Sequence, residues 1–482
     1  MGNQRFLKRR LEKVANVWTV PTTCRLGLLF ALVCFYSLLL PAVSLGQEDA
    51  WSVSGLVQLR YEGRYLTDDE GEDQKLFQMA DITISENKWN HFRFTFSGDL
   101  YQDLDGKTDL KEVDATRTIR DTWDDDVGGF LYVAQAELAD LGAFQYIRLG
   151  RQYIKHELST THLDGVNCLL RLGDLERRVK PFFYGGIPVR LYDDESNAWD
   201  SQEVGGGLDF FLGRWTRFTY EHRYTREDIE DDPDIYGSYR SPGRSTYQQS
   251  ALAVRHNLLG QAYGYGSLYL LDNKPKWVNA VFSTLMDRID LDADLTYLYQ
   301  FEKIEDMPTS GPLYTGLVGP IKPYHDFTLD VMKGIHKEDV WISAGTQWRV
   351  LDSGEQESEF NHSYHREYLG VIFENLPKPG LSFSVQADYW AVVDDENDDS
   401  TLTLVGSVGY KRPDAYSVSL GTSYSLFKYD YFLDENEKED VYTVSADGRY
   451  YLSPKWYLEG RYQVDIYAIC EHRFVATIGL EL

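Results

Sequence analysis

Charged residues recur in this chain at every second position of otherwise apolar or aromatic segments, and that spacing decides what chemistry they can do. Counting by alternation puts Arg60, Arg93, Arg148, Arg171, Arg217, Arg223, Arg349, Arg449 and Arg461 on one face. Glu62, Asp99, Glu137, Glu221, Asp290, Asp292, Asp294, Asp388, Asp447 and Glu459 share it. Guanidinium stays charged and forks onto carboxylate or phosphate, so a row of arginines can pass anionic solutes. The same arginines can instead pair with neighbouring carboxylates across strands and only stiffen a wall. Composition leaves both readings open.

Other reactive clusters are weaker. Asp103, Asp105, Gly106, Asp109 and Glu112 are the best candidates for a loop-bound calcium or magnesium ion, but a full calcium-loop pattern is missing and solvated loops are the preferred reading. Asn361, His362 and Ser363 have the residue types of a hydrolase, but they are consecutive in a loop rather than spread over facing strands. His222 falls on the apolar face. Cys168 and Cys470 belong to no C-x-x-C or C-x-x-C-H motif, so no zinc site, attached haem or disulfide framework is indicated. No catalytic function and no resident cofactor are expected.

The elements that must position these residues are strands. Phe92, Phe94, Phe96 and Leu100 alternate with Arg93, Thr95, Ser97 and Asp99. Leu291, Ala293, Leu295, Tyr297 and Tyr299 alternate with Asp290, Asp292, Asp294 and Thr296 in a strand read from Ile289 to Gln300. Leu381, Phe383, Val385, Ala387 and Tyr389 alternate with Ser382, Ser384, Gln386 and Asp388. Such segments are about ten residues long, enough for a tilted strand to cross a bilayer.

The connections alternate too. Long or acidic ones are read at 101–129, 153–164, 190–201, 225–245, 301–325, 351–362, 393–400 and 427–440, with short turns between them. Asp272 to Pro275 and Asp465 to Glu471 are short where a long connection is due, so the strand count can slip there. The fold expected is an all-β, antiparallel, up-and-down transmembrane barrel of about 18–22 strands, with long outer loops and short periplasmic turns. His472 to Leu482 reads as the closing strand, which pairs with the first so that no edge is left open.

Arg5, Lys8, Arg9, Arg10 and Lys13 precede an apolar run from Leu26 to Val43, and small residues follow it. Residues 1–46 therefore read as a signal peptide and 47–482 as the barrel, in the bacterial outer membrane. A retained transmembrane anchor is the alternative. The full chain carries 48 Lys/Arg against 76 Asp/Glu, which excludes nucleic acid as a partner. The excess acid lies in the loops, where divalent cations can bridge it to lipopolysaccharide. Trp51 and Trp456 fall on the apolar face near the strand ends, as in an aromatic belt, whereas Trp89, Trp215 and Trp341 do not.

Leu149-Gly150-Arg151-Gln152, followed by Asp164-Gly165-Val166, resembles a strand-loop-strand element of the alginate-export family and of related porin-like outer-membrane barrels. The resemblance covers about residues 144–226 and implies a basic lumen gated by loops; the wall read here is mixed in sign. The function expected is a porin-like channel for solutes or for export of an anionic polysaccharide. The alternative is a sheath in a porin-cytochrome electron conduit. Expected partners are outer-membrane lipid, lipopolysaccharide, the barrel assembly machinery and a plug or periplasmic protein. No plug domain is read, and a barrel this wide needs narrowing, so an infolded loop (101–129, 225–245 or 301–325) or a separate protein must supply it.

Overall fold

In the computed structural model, the residues described are 51–67, 72–87, 91–104, 127–158, 160–172, 178–189, 201–226, 246–258, 261–301, 323–335, 339–352, 363–392, 400–428, 438–467 and 470–482. The expected signal segment and the Asp105 to Glu112 acidic cluster lie outside them, as does most of each long connection named above except 153–164.

Eleven strands run away from the end that holds Trp51 and Leu482: β1 (Trp51–Leu66), β3 (Phe92–Asp103), β5 (Phe144–Lys155), β7 (Val179–Pro188), β9 (Thr216–Arg226), β11 (Ala262–Leu271), β13 (Leu291–Gln300), β15 (Val340–Leu351), β17 (Leu381–Val392), β19 (Tyr416–Lys428) and β21 (Trp456–Ile466). Eleven return: β2 (Glu72–Glu86), β4 (Val127–Leu141), β6 (Thr160–Leu170), β8 (Gln202–Leu212), β10 (Thr246–Leu258), β12 (Lys274–Met286), β14 (Tyr324–Ile335), β16 (Tyr364–Glu374), β18 (Ser400–Arg412), β20 (Lys438–Tyr451) and β22 (Cys470–Glu481). Each pairs antiparallel with its sequence neighbours, and β1 pairs with β22 from Leu56↔Glu481 to Leu66↔Glu471, so the 22-stranded sheet closes on itself. Closure is what a spanning sheet requires, because an open edge would leave backbone groups without partners in lipid.

The outward face is apolar. Val385 is 65% exposed, Leu369 57% and Leu420 55%, values at home against hydrocarbon and costly against water. The polar residues of the same strands point inward. Here the sequence pattern and the structure agree over most of the wall, including the short connections that threatened the count. Asp272 and Asn273 both take positive φ (47° and 65°) in a two-residue hairpin.

Three local readings change. Asp290 is no wall residue: it caps a single 3-10 turn in a left-handed conformation (φ 47°), and β13 begins one residue later. Arg171 lies one residue past β6, at the rim, where it pairs with Asp140 at the end of β4. The connection read as 153–164 is mostly strand, since β5 runs to Lys155 and β6 starts at Thr160.

Candidate functional site

That last difference creates the site. The β4–β5 ladder runs from Leu141↔Phe144 to Ala134↔Arg151 and stops. The β5–β6 ladder continues to Lys155↔Thr160. Beyond Arg151 the β5–β6 hairpin has therefore left β4, and no described strand pairs with Val127 to Val133 on the side away from β3. The break coincides with a bulge in β4, where the register skips Tyr132 between Val133 and Leu131. It also coincides with Gly150 at φ 111°, where a Cβ would sit 2.2 Å from the Ala134 carbonyl oxygen. Gly150 pairs with Gly165, and Gly165 with Gly186. A row of residues without side chains marks the fold line.

Past this line the hairpin curls into the lumen. Ile154 and Leu163 pack on Phe182 and Tyr184, all of them buried. The His156 ring stacks on Phe182 with centroids 4.0 Å apart. Gly207 lets Phe182 lie flat, because a Cβ there would come 2.6 Å from its ring. At the tip, the Leu158 amide donates to Glu221 Oε2 at 2.9 Å while Tyr184 Oη donates to Oε1 at 2.7 Å. Leu158 itself is buried with Tyr247, Ala251, Tyr269 and Leu271. Glu157 accepts from Tyr265 at 2.9 Å and pairs with Arg255 at 3.4 Å. The hairpin thus crosses the inner face of β7 to β11.

Burial against this wall holds the His156 imidazole below its ordinary range; Glu221, Asp209 and Glu157 pull the other way, and Arg217 reinforces the lowering. Glu221 is 1% exposed and is held by two neutral donors. A buried carboxylate needs such donors, so the latch is costly to break on one side only. On the vacated edge, Arg151 Nη1 donates to the Leu131 carbonyl at 3.2 Å and His162 Nε2 to the Tyr132 carbonyl at 2.7 Å. Side chains satisfy there part of what a neighbouring strand would have satisfied.

Elsewhere on the wall most arginines have acids beside them. Arg60 pairs with Glu62, Arg148 with Glu137 at 2.6 Å, Arg217 with Asp209 at 2.8 Å and Arg449 with Glu459 at 2.5 Å. Arg93 reaches Glu137 only at 4.0 Å. Arg223 lies between Gln249 (2.5 Å) and Glu203 (3.5 Å) and is buried. Arg349 sits over the Tyr324 ring at 3.9 Å. Arg461 is exposed and has no ion pair among the described residues, although the register sets it opposite Asp447. Asp292 and Asp294 face inward on β13, the latter opposite Asp330. The row of wall arginines read from alternation left out Arg64, Arg151, Arg255, Arg366 and Arg473, which make pairs of their own. Alternation also missed the hairpin, whose signal was the aligned glycines. Among the described residues no group of three or more His, Cys, Asp or Glu could hold a metal ion. His222 lies on the outward face and hydrogen-bonds Ser250 at 2.9 Å.

No family model matches the sequence, and no curated protein does. Solved structures do match. The translocation pore of the P pilus usher PapC aligns with a TM-score of 0.49 at 9% identity, covering 89% of this chain and 99% of that one. OccK2 (OpdF) of Pseudomonas aeruginosa in complex with glucuronate aligns with a TM-score of 0.40 at 10% identity, covering 90% and 98%. A BenF-like porin from Pseudomonas fluorescens Pf-5 gives 0.40 at 11% identity, covering 90% and 99%. Likeness at such identities concerns the barrel fold alone.

Proposed function

We propose that this chain is a passive channel of the bacterial outer membrane, narrowed by its own β5–β6 hairpin. The observation that carries the reading is the hairpin seated inside a closed barrel with an apolar exterior and a charged interior. A 22-stranded cylinder is wide enough to need an internal obstruction, and this element supplies part of one. In this setting the exterior meets lipid and lipopolysaccharide, the short turns face the periplasm, and the assembly machinery inserts the strands. Purified protein should migrate on gels in a heat-modifiable way and give discrete conductance steps in planar bilayers. A closed barrel with no conductance at any voltage overturns the proposal.

The wall favours small polar solutes of either sign over an anionic polymer. Arginines paired at 2.5 to 2.8 Å, such as Arg148, Arg217 and Arg449, offer little net positive field. An alginate-type exporter would draw on a basic lumen. A sheath round a haem protein would want an unobstructed bore, and the hairpin counts against it.

A further inference from the structure

We infer that the β5–β6 hairpin is a movable gate with two seats: docked on β7 to β11 as seen, or raised into the wall so that β5 resumes pairing with the vacated half of β4. The inference rests on the channel reading and adds its regulation.

The first support is register. Continuing past Ala134↔Arg151 would set Gln152 to Lys155 opposite Val133 to Phe130, an edge that no described strand pairs with on that side. The second is the outward parity of the hairpin. Tyr153 and His162, stacked at 4.1 Å, share the parity of Leu149 and Val166, both exposed on the lipid side, with the Arg151–Asp164 ion pair between the two rows. In the raised seat these rings would fall where the barrel carries its other lipid-facing aromatics.

The third support is what lies beneath the docked hairpin. Ile154, Leu158 and Leu163 pack on apolar side chains in the docked seat, yet the same face also buries the charged residue Glu221, which is 1% exposed. Gln152 Oε1 and His156 Nε2 are buried within it without hydrogen-bond partners. Such a surface is a lumen wall built for water, with a removable cover over it. The hinge is the glycine row Gly150, Gly165 and Gly186, beyond which β6 stays paired with the end of β7 as far as Leu163↔Pro188, and the latch is Glu221 with the Leu158 amide and Tyr184 hydroxyl.

The test combines current recording with thiol labelling. In planar bilayers the parent should switch between a small and a large conductance level, and Glu221→Ala should raise the ratio of time in the large level tenfold or more. In a Cys168→Ser, Cys470→Ser background, Ala251→Cys places a thiol under Leu158. A charged methanethiosulfonate should label it slowly, and at least tenfold faster when Glu221→Ala is added, with heat-modifiable migration confirming an intact barrel. A single level in both proteins together with equal labelling rates overturns the gate. If neither protein conducts, the channel reading fails, and the labelling rates still decide whether the hairpin moves.

Discussion

The amide of Leu158 donates to Glu221 Oε2 at 2.9 Å, joining the tip of one hairpin to the middle of a strand four positions further round the barrel. Tyr184 completes the latch from the other oxygen. Tyr184→Phe keeps the ring under His156 and removes only the hydroxyl. A hydrogen bond to a charged group contributes about 1.5–3 kcal/mol, so docking should weaken roughly tenfold or more. Trypsin cleavage after Lys155 in the folded barrel should accelerate by a similar factor, and an unchanged rate would remove Tyr184 from the latch.

Acidification should release the hairpin. His156 is neutral when docked because burial outweighs the attraction of Glu221, Asp209 and Glu157. Its docked pKa lies below the ordinary 6.5 of the free loop, so its contribution to docking is complete above that value. The contribution is lost as pH falls below 6.5 toward the docked value. Conductance recorded between pH 8 and pH 5 should rise at the acid end. His156→Phe keeps the stack on Phe182 and should flatten that rise.

Gly150 has no tolerated substitute. Alanine there would combine φ 111° with a Cβ 2.2 Å from the Ala134 oxygen, strain of about 1–3 kcal/mol from the dihedral alone. Gly150→Ala should lower the temperature at which the barrel loses its compact gel form. Gly264→Ala, where a Cβ meets nothing within 4 Å, is the matched control.

Ion selectivity should separate paired from unpaired arginines. Arg449→Gln alone leaves Glu459 without its partner and should shift reversal potential toward cations in a salt gradient. Arg449→Gln with Glu459→Gln should return it to the parent value. Arg461→Gln has no acid in contact to compensate, so its shift should persist. Wall charges act over roughly 8 Å at physiological salt, and the differences should grow as salt is lowered. A double variant that stays as cation-preferring as Arg449→Gln would contradict the pairing.

The strand count was legible because lipid and water face opposite sides of every strand, so period two runs through segments such as Leu381 to Tyr389 with little interruption. Facing was legible for the same reason. Pairing was not, because a partner depends on register, and a shift of one residue changes every neighbour. Asp290 looked like one more alternate acid, and only its left-handed backbone shows it to be a turn. The hairpin hid because Tyr153, His156 and His162 among polar residues read as a loop. Gly150 and Gly165 became informative only once the register set them, with Gly186, in one row.

The gap beside β4 also governs how the cylinder can deform. At the end carrying the short turns, β4 and β5 are paired from Leu141↔Phe144 onward, so ladder hydrogen bonds hold the two strands together there. At the opposite end no described ladder joins Val133 to Gln152, and contacts such as those from Arg151 and His162 reach β4 instead. That rim is an open collar, able to widen or tighten without breaking a ladder, so the barrel is stiff at its base and compliant at its mouth.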